Sequence, residues 1–145
     1  METKFQKEWI DQGFGFPVKF VNVTLVKVRG AWTPKVPYNR IAKELLRALA
    51  SKPGRLTGNE VRFIRQFMEM TLQEFGRRFD VSHVAVLKWE KSGDKITPMA
   101  WSMEKDLRLF VLTHEGAKPP EIATLYGELE DVPKDKGSVI ELDAA

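Results

Sequence analysis

The stretch DVSHVAVLKWE at residues 80–90 sets an imidazole and an ammonium among branched apolar side chains. Wound as a helix, it carries His83, Val84, Leu87 and Lys88 on one side and Val86 and Trp89 on the other. Metal ligation, catalysis and macromolecular contact would each use such a surface differently. For a metal, His83 needs a second ligand one helical turn away, yet Val86 and Leu87 stand at those positions and the only other histidine is His114. The chain has no cysteine, which excludes disulfides and thiolate zinc or iron–sulfur sites; no metal or other cofactor is expected. Catalysis has thin support. Ser102-Met-Glu-Lys105 has the form S-x-x-K, but the S-D-N and K-T-G partners of that chemistry are missing, so it reads as helix surface. Glu128, Glu130 and Asp131 cluster in a charged, solvated end, and no Gly-rich phosphate loop occurs. The chain reads as a non-enzyme. For Val84 and Leu87 two placements stay open, domain core or contact surface.

Charge distribution favours contact with an anion. Residues 17–54 carry eight Lys/Arg against the single acid Glu44, and residues 55–95 eight against six, whereas 115–145 carry three against eight. A basic front and an acidic tail point to an anionic partner for the front, nucleic acid being the commonest. No apolar run is long enough to span a bilayer. METKFQKEWIDQ lacks the apolar stretch of a secretion signal, so a cytoplasmic location is expected.

The elements that must position DVSHVAVLKWE follow from local pattern. Residues 1–16 read as an irregular lead-in. VKFVNVTLVKV (18–28) alternates as a strand, with turn or bulge points at Asn22 and near Gly30, closed by Pro34 and Pro37. Tyr38, Ile41, Leu45, Leu46 and Leu49 form the apolar stripe of a helix over 38–50, with Arg40, Lys43 and Arg47 opposite and Ser51-Lys-Pro-Gly54 as its stop. Thr57…Glu60 and Thr71…Glu74 are capping boxes that open two helices. Asp80-Val81 makes a turn, and Ser82 caps a helix over 83–91 that Ser92-Gly93 ends. Thr97-Pro98 starts one or two helical segments reaching His114. Pro119-Pro120 starts a last helix with Ile122, Leu125 and Leu129, and Val139–Leu142 is a strand or disordered.

Two short helices, a tight turn and a Ser-capped second helix outline a helix-turn-helix. Gly76, costing about 1 kcal/mol inside a helix, is explained by close packing where the two helices cross. The stretch 57–112 resembles the lambda-repressor-like (XRE-type) helix-turn-helix family at Arg65, Thr71, Gly76, Val81, Ser82, Val86, Trp89 and Glu90. The Gln that members often place second in the first of these helices is Leu72 here, with Gln73 beside it.

The resemblance implies an α+β chain, mainly α. A small N-terminal β-hairpin and basic-helix module (1–54) precedes a five-helix DNA-binding domain (55–114) and an acidic C-terminal helix and tail (115–145). It implies a structural ion pair of Arg65 with Glu90. His83, Val84, Leu87 and Lys88 would face base edges, with Ser82 and Ala85 near the sugar-phosphate and Thr71, Gln73, Lys91, Ser92 and Lys95 serving phosphates. The layout around KPGRLTGNEVRFIRQFMEMTLQEFG (52–76) is similar to antitoxins of the MqsA/HigA type without their zinc-binding cysteines. Such a protein would be a homodimeric transcriptional regulator that binds a palindromic operator, represses its own operon and neutralises an mRNA-cleaving toxin. The other regulatory reading is a stand-alone or phage-type repressor with no toxin partner. Neither involves a membrane.

Overall fold

The computed structural model describes residues 1–134 and 139–145. Its elements are β1 (Thr3–Asp11), β2 (Val18–Val28), β3 (Ala31–Pro34), α1 (Tyr38–Ala50), α2 (Gly58–Phe67), α3 (Leu72–Arg78), α4 (His83–Lys91), α5 (Trp101–His114), α6 (Pro119–Glu128) and β4 (Ile140–Asp143). The class is α+β, mainly helical. Contacts divide it into two units, 1–45 with 139–145, and 46–138. Among the described residues no helix is long and apolar enough to cross a membrane.

In the first unit β2 is the central strand. β1 pairs with it antiparallel, from Thr3 opposite Val26 to Asp11 opposite Val18. The other edge of β2 is shared: β4 runs parallel to Val18–Val21, and β3 runs antiparallel to Leu25–Val28. Between these partners stands Asn22 with φ 56, a left-handed conformation that Asn tolerates better than most residues. The buried face of β2 changes parity there, Val18 and Phe20 before it and Val23 and Leu25 after it. Arg29 (φ 52) and Gly30 (φ 81) make a two-residue turn into β3; left-handed backbone at both positions gives the twist a hairpin needs.

Two N-terminal expectations are corrected. Residues 1–16 are not an irregular lead-in, since nine of them form β1. Its polar, half-exposed side chains hide the alternation, and the ladder to β2 supplies the order. Tyr38 does not join the apolar stripe of α1; it is exposed and stacks on Phe14, ring centroids 5.2 Å apart. Ile41, Ala42 and Leu45 are buried as the stripe requires.

The second unit is helical, and its centre is charged. Ser51–Gly54 is no loose linker, because Lys52 is buried with its ammonium 2.8 Å from Glu60 Oε1. Arg108 donates to the carbonyls of Lys52 and Gly54 and to Glu104, whose other oxygen takes the Arg55 Nε–H at 2.7 Å. Glu104 also accepts from the Leu56 N–H. The Trp101 ring lies 5.5 Å from the Arg55 guanidinium and 5.4 Å from that of Arg108. Burial pulls the Arg108 guanidinium below its ordinary value, while the Glu104 charge pulls it back.

The expectation of five helices in 55–114 is also corrected, for four lie there among the described residues. Thr97-Pro98 does not open a helix. Thr97 is buried, its hydroxyl donating to the Trp89 carbonyl and accepting from the Met99 N–H, so it shapes a turn. α5 then starts at Trp101 and runs unbroken to His114, with no Gly or Pro inside it. The segment 115–145 does not stay together: α6 belongs with the helical unit and β4 with the sheet. Residues 135–138 of the expected acidic tail lie outside the described residues.

Glu104→Ala would strand two guanidiniums and a backbone N–H in the interior. It is expected to lower the unfolding free energy by about 3–5 kcal/mol in denaturant titration; a loss under 1 kcal/mol would contradict a structural role for the cluster.

Candidate nucleic-acid interface

The presentation of α4 begins with Gly76 in α3. A Cβ there would stand 2.6 Å from the Val81 carbonyl oxygen and 3.2 Å from Ser82 backbone atoms. The close approach therefore comes from the turn backbone that leads into α4, not from a crossing of helix axes. The Val81 N–H donates to the Gly76 carbonyl (2.9 Å), and Asp80 bends the chain with φ 57. Ser82 then caps α4, its hydroxyl accepting from the Ala85 N–H at 3.3 Å.

The far end of α4 is clamped in the same way. Gly58, the first residue of α2, lies so close that a Cβ would stand 2.6 Å from the Glu90 carbonyl oxygen, 2.8 Å from the Gly93 nitrogen and against Ser92 Oγ. The loop after α4 is tied to the entry of α2. Gly58 N–H donates to the Lys95 carbonyl, Asn59 N–H to that of Gly93, and Thr97 N–H to that of Leu56. No sequence motif announced this clamp; Gly58 was legible only as part of the Thr57 capping box.

Beneath α4, Val86 and Trp89 are buried, and the Phe79 ring meets Trp89 edge-on at 5.7 Å. Glu90 turns inward with only 1% of its side chain exposed. Arg65 grips it with a fork, Nε–H to Oε2 at 2.6 Å and Nη2 to Oε1 at 3.0 Å, while Nη1 donates to the Met70 carbonyl. One guanidinium thus ties α2 to the end of α4 and to the turn before α3. Arg62, which the sequence did not single out, adds a 3.3 Å contact to Glu90 from a 45% exposed position.

On the outer face, Ser82, His83, Val84 and Lys88 are exposed, Val84 to 48%, and Ala85 and Leu87 are half-buried. Val84 therefore belongs to the surface, and Leu87 lies at its border. Lys91 and Lys95 are exposed beyond the helix. Ser92 differs, since its hydroxyl donates to the Trp89 carbonyl and ends the helix. Thr71 and Gln73 are exposed at the start of α3. There the capping box is complete, with Thr71 N–H donating to Glu74 and Glu74 N–H donating to the Thr71 hydroxyl. Hydrogen bonds from Thr71, backbone first, hold the Glu74 carboxyl below its ordinary value. A carboxylate already occupies this helix start, so the Gln73 amide and the Thr71 O–H are the donors left there for an incoming phosphate.

The exposed groups of this surface are an imidazole, an ammonium and branched apolar side chains. Among the described residues no three His, Cys, Asp or Glu side chains group as metal ligands. Ser102 and Lys105 border a cleft of about 450 Å³ with Asp106, Tyr126 and Glu130, but no hydrogen bond joins the hydroxyl to the ammonium.

Three substitutions test the scaffold. Arg65→Ala leaves Glu90 buried without its fork and should cost about 3–5 kcal/mol, while Arg62→Ala, at a solvated position, should cost under about 1 kcal/mol; equal losses in thermal denaturation would argue against the asymmetry. Gly76→Ala gains helix propensity of about 1 kcal/mol but forces its methyl onto a backbone oxygen. A net loss of about 1–3 kcal/mol is expected, and a stabilised variant would contradict the close approach. Compared with known proteins, the chain matches no family model, no curated protein and no solved structure, so its function is argued from this geometry and the sequence pattern behind it.

Proposed function

We propose that this chain is a sequence-specific DNA-binding transcriptional regulator in which α3, its turn and α4 act as the helix-turn-helix of a lambda-repressor-like domain. The observation that carries this reading is the division of α4. Its inner residues are fixed in the core and by Arg65, while His83 and Val84 stand exposed in its capped first turn and Lys88 in its last. Val84, 48% exposed, stands here beside imidazole and ammonium groups. A major groove offers partners to each: purine N7 and guanine O6 accept from His and Lys, and thymine methyls pack against Val84 and Leu87. Gln73, Thr71, Lys91 and Lys95 flank this face as phosphate contacts, and Ser82 and Ala85 lie beside the sugar-phosphate.

The similarity in layout to MqsA/HigA-type antitoxins extends the proposal. The regulator binds a palindrome as a homodimer, represses its own operon and neutralises a toxin that cleaves mRNA. The sheet unit and the acidic segment are the parts left for dimerisation and for the toxin. Co-purification with the product of an abutting gene tests the antitoxin role; a gene without such a neighbour returns the reading to a stand-alone repressor.

For DNA binding, His83→Ala combined with Lys88→Ala should raise the Kd for promoter DNA about 100-fold, with unchanged circular dichroism. Each phosphate neutralised adds about −0.9 to the log–log salt slope, so Lys91→Ala should flatten that slope and weaken all sequences alike. Unaltered affinity in the double variant would sink the assignment of α4.

A further inference from the structure

We infer that β1 is a self-pairing edge through which two copies of this chain associate, antiparallel about a two-fold axis lying between Lys7 and Glu8. β1 pairs only with β2, so a nine-residue strand presents its outer row of backbone N–H and C=O groups unpaired by any strand among the described residues. Natural sheets usually blunt or cover such an edge, because it is a template for another strand. Here it is long, and two large apolar side chains stand on it in the open, Phe5 63% and Ile10 52% exposed.

Which strand fits is written in the order of its residues. Antiparallel self-pairing about this axis sets Lys7 opposite Glu8 of the second copy, Phe5 opposite Ile10, Lys4 opposite Asp11 and Gln6 opposite Trp9. Two of these are opposite-charge pairs and Phe5 with Ile10 is apolar, the pairings that stabilise cross-strand neighbours, while Gln6 with Trp9 is neutral. An evenly alternating strand forbids this register, since opposed residues must share a face and residues 7 and 8 would not. β1 does not alternate evenly. Lys4 and Gln6 are half-buried, as are Trp9 and Asp11, while Phe5, Lys7, Glu8 and Ile10 are all exposed. The break lies opposite Asn22, where β2 changes parity as well. With Lys7 and Glu8 on one face, every opposed pair in the proposed register shares a face. A shift of one or two residues sets an exposed side chain against a half-buried one.

The charged groups on β1 have the following partners in the single chain. Glu8 lies 3.2 Å from Lys19, the Lys4 ammonium sits 4.4 Å over the Trp32 ring, and Asp11 accepts the Gly13 N–H. Among the described residues Lys7 makes no ion pair, and it is the residue next to the axis. An isologous contact of this kind uses the same patch twice and closes at two copies. The sheet unit is then the dimerising element.

The test is the mass of the full chain in solution by size exclusion with light scattering. The wild type is expected as a dimer. Lys7→Glu, which sets like charges face to face twice across the axis, should weaken it at least about tenfold. Lys7→Glu with Glu8→Lys should restore it. A cysteine at position 7 would have its Cα about 6 Å from its symmetry mate, from strand spacing and rise, within disulfide reach. Since the chain has no cysteine of its own, Lys7→Cys should oxidise to a covalent dimer and Ile10→Cys should not. A monomeric wild type, a dimer indifferent to Lys7→Glu, or crosslinking at position 10 but not 7 would each overturn the proposal. No DNA enters this experiment, so its failure is separable from failure of the DNA-binding reading.

Discussion

A carboxylate with 1% of its side chain in water sits at the end of α4, the helix proposed to carry the contact face. Left alone in the interior, the Glu90 charge would cost several kcal/mol. It is tolerable because Arg65 meets it with two N–H groups in the geometry a guanidinium fork prefers. That requirement does more than stabilise. A fork fixes direction as well as distance, so the last turn of α4 can sit against α2 in essentially one rotation. Rotation is what decides which residues face outward. If α4 turned by one residue, about 100°, Val86 or Trp89 would enter the solvent and the His83–Lys88 face would break up.

The rest of the helical unit serves the same end. Gly76 lets the turn into α4 lie against α3, and Gly58 lets the end of α4 lie against the start of α2, so both ends are held by close approach to backbone, joined at Gly58 by the Ser92 hydroxyl. Backbone contacts cannot change rotamer, which suits an element whose neighbours must be placed to a fraction of an ångström. Further in, Glu104, Arg108 and Arg55 hold the segment that leads into α2. Buried ion pairs thus stand beside the aliphatic core at two levels, and each carboxylate accepts several hydrogen bonds. The same construction explains why the exposed face can be chemically mixed. It is not asked to contribute to folding, so its composition is free to serve contact.

Legibility from sequence varied with the range of the interaction. Both capping boxes, the Ser82 cap and the bounds of α1 and α4 could be read because capping and periodicity act within four residues. The outline of the Arg65–Glu90 pair came only through the pattern of the surrounding helix-turn-helix residues, since nothing local says where a surface-looking arginine ends up. β1 was missed because its identity lies in its pairing with β2 and not in its own polar composition. The Thr97 turn was misread because the cap-then-Pro signal is shared by turns, and the buried hydrogen bond to Trp89 decides between them. Nothing local singles out Lys52, Arg55, Glu104 and Arg108 as a cluster, since Arg55 and Arg108 meet their partners across about fifty residues of chain. Gly58 and Gly76 show the two cases side by side. One stood out in a helix interior and its closeness could be argued, while the other hid at a helix start where glycine needs no reason.

The central claim is that the outer face of α4, flanked by the start of α3 and the loop after Lys91, is where DNA docks. The most direct measurement is a map of backbone amide shifts as isotope-labelled protein is titrated with duplex DNA from upstream of its own gene at low salt. The account predicts shifts concentrated at Thr71–Gln73, Ser82–Lys88 and Lys91–Lys95, with the strands of the sheet unperturbed. Shifts centred on the sheet or on the α5–α6 cleft, with α4 silent, would contradict it.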